Sequence, residues 1–344
     1  MAALGPAGAE TLRIATYNGE MTAKGPGLIL AALTMGDDPK LLAVMQAIVR
    51  LNADILVLTG IDYDLSGKTL RALADQLGQQ GLVYPFQMAL RPNSGIATGL
   101  DLDNNGRFGE PRDAQGYGQF AGQAGIAVLS RHPIDTANAV NYSEFLWRDL
   151  PENLMPQDTS PQIAAVQRLS SGGHWSVPVI LDNGQPLSLL VFYATPPVFD
   201  GAEDRNGRRN HDEAAFWLRL LAGELPFAPP SPPFVVMGQS NLDPTDGEGL
   251  PDALDALLAH PALQDPRPLG NHDRSDPDHS GDPLLDTALY IPGPGGLRVE
   301  VILPSAELQV IGSGVFWPAG SDPFAATLAL ASRHRPVWVD VTQP

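Results

Sequence analysis

Amide and carboxyl side chains follow several strand-like runs of this sequence, at the points where the apolar residues stop. The apolar run Phe234–Met237 is followed by a glycine and then by Gln239 and Asn241. The run that ends at Tyr17 is followed in the same way by Asn18 and Glu20. Buried strands of α/β proteins place catalytic and binding groups at their carboxyl ends. These residue types also form ordinary turns, so a plain strand-to-loop turn is the competing interpretation.

Oxygen-bearing side chains alternate in a loop further along the chain. Asp101, Asp103 and Asn105 precede a glycine in the pattern D-x-D-x-N-G. This pattern matches the start of an EF-hand-type calcium loop, in which alternate side chains point at one oxygen-liganded ion. Arg112 stands where the closing acid is expected, and Asp113 is the neighbour that could substitute for it. The loop therefore predicts a Ca²⁺ site, with an ion-free Asx-rich surface turn as the alternative.

The elements that must position these groups alternate between strands and helices, which predicts the α/β class. Apolar and alternating runs predict strands at 12–17, 54–58, 125–131, 177–181, 187–193, 234–237, 298–303 and 337–341. Helical patterns predict helices that begin near 37 and that span 69–79, 212–224 and 252–259. The stretches at 200–211 and 264–296 are polar or rich in Pro and Gly, and both are predicted to be loops.

Composition limits the class of protein. The chain has 344 residues, of which 43% are hydrophobic, enough for a large core. No run is long and apolar enough to span a bilayer, and no signal peptide is visible. Residues 1–10 are predicted to be a flexible lead, and residues 11–344 a single domain. The absence of cysteine excludes disulfides and thiolate metal sites, and it fits either the cytoplasm or an export compartment.

The formal net charge is −18. A surface of this sign repels nucleic acid and anionic membranes unless cations intervene. The charge counts against a general DNA-binding protein. It does not count against an enzyme that reaches a phosphate through a bound metal ion.

Four motifs, in this order, resemble the endonuclease/exonuclease/phosphatase superfamily, the metal-dependent phosphoesterases related to DNase I. They are Asn18 and Glu20 after the first strand, the polar stretch 59–64 after the strand at 54–58, the run G-Q-S-N at 238–241, and S-R-H at 332–334. The strand G-I-A-V-L-S-R at 125–131 is also similar to the central strand of the family. The resemblance extends from about Leu12 to Val341. It implies a four-layer α/β sandwich, in which two packed mixed β-sheets are flanked by helices.

The resemblance also implies roles for individual residues. Asn18 and Asn241 stand at Asn positions of the family, and His334 stands at the His that steadies the transition state. Glu300 stands at the acid that orients this His. Tyr193 stands where many members have His and where the abasic-endonuclease branch has Tyr. For a Mg²⁺ or Mn²⁺ ion, the remaining candidate ligands are Glu20 and Asp62.

Three positions depart from the family pattern. Gly60 replaces the metal-binding Glu, Gln239 replaces the water-activating Asp, and Arg333 replaces the Asp of S-D-H. Gln is neutral and cannot take a proton from water, Gly brings no oxygen, and Arg adds a permanent positive charge. These changes convert a pocket suited to a cation into one better suited to an anion.

Three functions are consistent with these residues. The first is a phosphoesterase scaffold with impaired or lost hydrolysis, which binds a phosphate-bearing or anionic ligand through Arg333 and Gln239, with Arg208 and Arg209 as outer contacts. The second is an active metal-dependent phosphodiesterase or phosphatase with relocated ligands. The third is a Ca²⁺-stabilised, non-catalytic interaction module. The expected partner is a small anionic molecule, nucleic acid is disfavoured, and the chain is expected to be a monomer.

Overall fold

The computed structural model describes residues 11–342, so the predicted lead at 1–10 lies outside the described residues. The strands are β1 (Thr11–Met21), β2 (Ile55–Ile61), β3 (Phe86–Met88), β4 (Gly125–Ser130), β5 (Val140–Asn141), β6 (Gly173–Ile180), β7 (Pro186–Tyr193), β8 (Phe234–Gln239), β9 (Ala288–Tyr290), β10 (Gly295–Leu297), β11 (Glu300–Pro304), β12 (Val310–Val315) and β13 (Val337–Thr342). The α-helices are α1 (Leu28–Met35), α2 (Pro39–Leu51), α3 (Lys68–Gln79), α4 (Pro161–Ala164), α5 (Arg205–Leu221), α6 (Asp252–Leu258) and α7 (Ala325–Ala331).

Two large mixed sheets pack face to face. The first sheet has the strand order β12-β13-β1-β2-β4-β3, and the second has the order β11-β8-β7-β6-β5. Strands β1 and β2 are parallel, as are β7 and β8, whereas the other neighbours in these two sheets are antiparallel. Strands β9 and β10 form a separate antiparallel hairpin. With helices outside both sheets, the predicted four-layer sandwich is confirmed.

Successive side chains of each strand point to opposite faces of its sheet, and they form three apolar layers: one between the sheets and one outside each sheet. In β2, Val57 faces the second sheet, whereas Leu56 and Leu58 pack with the helices outside the first sheet. In β7, Phe192 packs outward with Phe216 of α5. Strands covered on both faces require apolar residues at every position, which explains why they occur as continuous apolar runs in the sequence.

Helix boundaries show where the sequence patterns succeed and fail. Helix α2 starts as predicted, because the Asp38 side chain accepts a hydrogen bond from the Leu41 N–H at 2.9 Å. Helix α5, however, begins at Arg205, so the predicted loop at 200–211 is wrong in its second half. The first turns of α5 carry Arg, Asn and His instead of apolar residues, and this hides the helical period. The predicted loop at 264–296 similarly contains the short strands β9 and most of β10.

Within residues 11–342, none of the helices combines the length and the apolarity needed to cross a bilayer.

Candidate functional site

Three amide side chains join the two sheets at the carboxyl ends of β1, β2 and β8. The Oε1 atom of Gln239 accepts hydrogen bonds from Asn18 Nδ2 at 2.6 Å and from Thr59 Oγ1 at 3.1 Å. The Nε2 atom of Gln239 donates to Asn241 Oδ1 at 2.6 Å. Asn241 Nδ2 in turn donates to the Ala194 carbonyl at 2.7 Å. This amide chain, Asn18–Gln239–Asn241, uses most of its donors and acceptors internally.

The backbone bends at both ends of the amide chain. The pairing of β1 with β2 shifts register between Asn18 and Met21, and Glu20 adopts a φ of 45° within this bulge. Asn241 has a φ of 54°. Left-handed backbone is uncommon for residues other than glycine, and it concentrates at sites where a side chain must be directed to a particular place.

A buried acid–histidine pair lies beside the amide chain. Glu300 pairs with Gln239 across the β11–β8 ladder, and its Oε1 atom lies 2.5 Å from His334 Nδ1. Both residues are buried, with 0% and 3% exposure. No residue between 11 and 342 hydrogen-bonds Glu300 Oε2, and none bonds His334 Nε2. The carboxylate therefore fixes a proton on Nδ1 and leaves Nε2 as the ring nitrogen for a ligand.

An ion pair closes the rim of this site. Arg333 donates from Nε to Glu20 Oε1 at 2.7 Å and from its backbone N to Oε2 at 3.1 Å. Lys40 Nζ lies 3.9 Å from the same carboxylate and donates to the Glu20 carbonyl at 3.0 Å. Burial raises the pKa of Glu20, but the hydrogen bonds and charge of Arg333 outweigh it, so the pKa lies below its ordinary value. The Arg333 side chain nevertheless remains 59% exposed.

Two tyrosines line the same region. Tyr193 pairs with Gln239 in the β7–β8 ladder, and burial raises its pKa to about 12, although a hydrogen bond with Asn18 opposes the rise. Tyr290 was not predicted. Its ring centroid lies 5.4 Å from the Arg333 guanidinium carbon and 5.9 Å from the His334 ring. Burial also raises the pKa of Tyr290, so both hydroxyls keep their protons at neutral pH.

The two arginines of α5 that were predicted as outer ligand contacts are used within the fold. Arg209 is buried, and its guanidinium donates to four backbone carbonyls, those of Gln115, Arg168, Leu169 and Ser170. This corrects the prediction of ligand binding for Arg209, because these carbonyls and the surrounding protein occupy its guanidinium. Arg208 is half-buried and donates from Nε to the Glu203 carbonyl at 3.1 Å.

Asp62 also has structural partners. Its Oδ1 accepts from Thr22 Oγ1 at 2.6 Å and from the Ala124 N–H at 3.0 Å, while Oδ2 accepts from the Ala23 N–H at 3.1 Å. Burial raises the pKa of this carboxyl despite these bonds. Asp62 is thus bonded to Thr22 and to two backbone N–H groups, whereas Glu20 is bonded to Arg333, so the two predicted metal ligands have different partners.

The predicted calcium loop contains a carboxylate cluster of slightly different membership. Oxygens of Asp101, Asp103 and Asp113 all lie within 4.8 Å of one another, and no other acid or histidine trio between residues 11 and 342 is this close. Asp113 thus joins the cluster as the substitute for the missing acid. Asn105 is arranged as a donor, because its Nδ2 bonds Asp103 and Glu110 and its Oδ1 accepts from a backbone N–H. This placement corrects the prediction of Asn105 as an oxygen ligand.

Comparison with known proteins agrees with this fold. The model of the Endonuclease/Exonuclease/phosphatase family matches residues 32–334, most of the chain. The chain belongs to the endonuclease/exonuclease/phosphatase family. A search of curated proteins gives no match.

Solved structures of the same family share the fold. The family protein from Beutenbergia cavernae DSM 12333 is 18% identical with a TM-score of 0.56, over 96% of this chain and 71% of that one. The family protein from Bacteroides vulgatus is 13% identical with a TM-score of 0.53, over 97% of this chain and all of that one. The human Nocturnin catalytic domain, solved with a bound sulfate anion, is 13% identical with a TM-score of 0.51, over 96% and 94% of the two chains.

Members of the endonuclease/exonuclease/phosphatase family typically depend on a divalent metal, and this chain keeps their phosphoesterase scaffold. The backbone of Gly60, where the resemblance implies a metal-binding glutamate, has a φ of 68°. A Cβ atom added there would lie 2.2 Å from Asn18 Oδ1. The Asn18 side chain therefore occupies the space into which a side chain at position 60 would extend.

Proposed function

We propose that the strand-end site binds a phosphate-bearing or other small anionic ligand and that its hydrolytic activity is impaired or lost. The observation that carries this proposal is the bonding of Gln239, which stands where the resemblance implies the water-activating acid. Its Oε1 already accepts two hydrogen bonds, and its Nε2 donates to Asn241. An amide has no basic atom for the proton of an attacking water, and loss of a general base typically costs ~10²–10⁴-fold in rate.

The donor set at this site does not fit a Mg²⁺ or Mn²⁺ ion. Such ions select oxygen ligands and usually include carboxylates. The Glu20 carboxylate is paired with Arg333, and Asn18 Oδ1 accepts the Glu20 N–H at 2.8 Å. The Gln239 oxygen is engaged by Asn18 and Thr59. We therefore assign no step of the mechanism to a metal at this site.

Anion binding is favoured by the groups that face outward. Arg333 is 59% exposed and carries a permanent charge, and a phosphate can replace the Glu20 carboxylate on its guanidinium fork. Beside it, Tyr193 and Tyr290 offer hydroxyl donors, and the buried His334 Nε2 can accept a hydrogen bond from a protonated ligand oxygen. The sulfate anion in the Nocturnin neighbour agrees with an anion site on this fold.

Calorimetric titration with inorganic phosphate and with a phosphate monoester tests binding. Arg333→Met should weaken phosphate binding about tenfold, because a charge-assisted hydrogen bond contributes ~1.5–3 kcal/mol. Arg208→Met is the matched control, since Arg208 contacts a backbone carbonyl away from the site. Equal affinities in wild type and Arg333→Met would contradict the proposal.

A hydrolysis panel tests the loss of activity. Wild type should show no Mg²⁺- or Mn²⁺-stimulated turnover of aryl phosphate mono- and diesters. A double variant, Gln239→Asp with Arg333→Asp, tests whether carboxylates restore metal-dependent turnover. Position 60 is left unchanged, because a side chain there overlaps Asn18. Metal-dependent turnover by wild type that disappears in both Glu20→Ala and His334→Ala would establish the active alternative instead.

The Asp101–Asp103–Asp113 cluster favours the third candidate, a module stabilised by Ca²⁺. A ligand that binds the native state and not the unfolded state stabilises it by RT ln(1 + [L]/Kd) and so raises the melting temperature as its concentration rises. Ca²⁺ should therefore raise the melting temperature of wild type relative to a chelator, and the rise should vanish in Asp103→Asn. Asp75→Asn, at an exposed position of α3, is the control. A melting temperature indifferent to Ca²⁺ would remove this candidate.

A further inference from the structure

The Glu20 carboxylate occupies the donors of Arg333 that an anionic ligand would use. The Nε atom of Arg333 donates to Glu20 Oε1 at 2.7 Å, and Nη2 lies 2.5 Å from the same oxygen. The backbone N–H of Arg333 donates to Oε2 at 3.1 Å. Arginine recognises phosphate through the same kind of charged hydrogen bonds. Glu20 and a phosphate therefore require the same donors and cannot use them together.

The backbone around Glu20 directs its carboxylate to this position. Glu20 lies in the bulge where the pairing of β1 with β2 shifts register, and its φ is 45°. Its N–H is fixed by a hydrogen bond to Asn18 Oδ1 at 2.8 Å. The carboxylate belongs to the same molecule as the guanidinium, so it acts at a high effective concentration. A dissolved anion must compete with it at every encounter.

Lys40 of α2 is a second cation beside Glu20. Its Nζ lies 3.9 Å from Glu20 Oε2 and donates to the Glu20 carbonyl at 3.0 Å. The Lys40 side chain is partly exposed, so it is free to follow a carboxylate that moves. A carboxylate that leaves Arg333 therefore keeps a cationic partner, which avoids the cost of an unpaired, partly buried charge.

We propose that Glu20 regulates the anion site as an internal competitor. Phosphate takes the guanidinium of Arg333, and the displaced carboxylate pairs with Lys40. The apparent affinity for phosphate is lowered by the fraction of molecules in which Glu20 holds Arg333. This inference rests on the phosphate binding proposed above, and it adds the group that limits that binding.

Calorimetric titration of the full chain with inorganic phosphate tests the proposal. Glu20→Gln should bind phosphate about tenfold more tightly than wild type, because a neutral amide holds the guanidinium less strongly than a carboxylate does. A purely structural role for Glu20 would give the opposite result, since damage to the site weakens binding. Glu144→Gln is the matched control. It also removes a carboxylate from an arginine, Arg168, and it should leave phosphate affinity unchanged.

Lys40→Met tests the path of release. It should weaken phosphate binding about threefold in the wild-type background, because the displaced carboxylate loses its partner, and it should have no effect in the Glu20→Gln background. An equal loss in both backgrounds would overturn the role of Lys40, since it would show direct attraction of phosphate. Phosphate binding by wild type that is as tight as in folded Glu20→Gln overturns the competitor alone. Absence of phosphate binding in both proteins overturns the phosphate site together with its regulation.

Discussion

Two buried acid–histidine networks occupy the second sheet and its surroundings, and they differ in completeness. In the first, His174 of β6 bonds the Ser170 hydroxyl and the Glu213 carbonyl, each at 2.9 Å. The Glu213 carboxylate accepts the Ser171 N–H at 2.6 Å, the Ser171 hydroxyl at 2.7 Å and the Thr195 N–H at 2.7 Å. Both ring nitrogens and both carboxylate oxygens have partners.

The second network, Glu300 with His334, is incomplete. One carboxylate oxygen and one ring nitrogen have no bond from residues 11–342. Buried polar groups normally find partners, so a saturated network is explained by the fold alone, whereas an unsaturated one requires another explanation. The first network is therefore explained by stability, and the second is the one that we propose contacts the ligand. Glu213→Gln and Glu300→Gln test this assignment, and two further variants test packing at Gly60 and buried charge at Asp286.

Glu213→Gln should have the largest effect. The new side-chain N–H₂ group is a donor, and it would face the groups of Ser171 or Thr195 that now donate to the carboxylate. The substitution also removes the negative charge that lies near the buried guanidinium of Arg209. Breaking such a buried network costs about 3 kcal/mol of the free energy of unfolding. Urea denaturation measures this loss, with Glu224→Gln, at an exposed position, as the control. A loss no larger than that of the control would break the comparison.

Gly60→Ala should come next. Its Cβ would lie 2.2 Å from Asn18 Oδ1 at a left-handed backbone position, which combines overpacking with strain and costs ~2–3 kcal/mol. Gly67→Ala is the matched control, because it has a φ of 65° and no atom within 4 Å of the added carbon. Its cost should be ~1 kcal/mol, from backbone strain alone. Equal melting temperatures in the two variants would show that Asn18 can move aside.

Asp286 gives a prediction of pH dependence. It is buried, and burial, with the charges of Asp243 and Asp276, raises its pKa to about 7. The folded state therefore holds a proton that the unfolded state releases near pH 4, so this residue makes stability fall as pH rises between these values. Asp286→Asn should flatten that part of the profile of unfolding free energy against pH. An unchanged slope would mean that Asp286 ionises normally.

Glu300→Gln should affect stability least. A glutamine oxygen can still accept the proton of His334 Nδ1, so the loss should be below about 1 kcal/mol. Phosphate affinity should nevertheless fall, because the uncharged amide accepts a weaker hydrogen bond from Nδ1 and holds the His334 ring less firmly against a ligand. Calorimetric titration and urea denaturation separate the two effects. A large stability loss with unchanged phosphate affinity would reverse the assignments of the two networks.

Eight of the described strands were predictable because they form apolar or alternating runs in the sequence. The short or largely exposed strands were missed, namely β3, β5, β9, β10 and β12. The early start of α5 was not predictable. Its first turns bury Arg209 and Asn210, which hydrogen-bond to backbone carbonyls, so the sequence there lacks the helical repeat of apolar residues. Tyr290 was missed because β9 is a three-residue strand in a segment rich in Pro and Gly. The substitutions at 60, 239 and 333 were visible in the motifs. Only the coordinates reveal that Asn18 fills the space beside Gly60.

The link from Gln239 to Asn18 and Thr59 also constrains how this chain can evolve. An acid at position 239 could not donate the hydrogen bond that Gln239 Nε2 now donates to Asn241. An acid at position 333 would place a second negative charge near Glu20, where Arg333 now forms an ion pair. A side chain at 60 would first require Asn18 to leave. Under the function proposed above, each single change toward a metal-binding centre is expected to lower stability before it brings any catalytic advantage, so only simultaneous changes would restore such a centre.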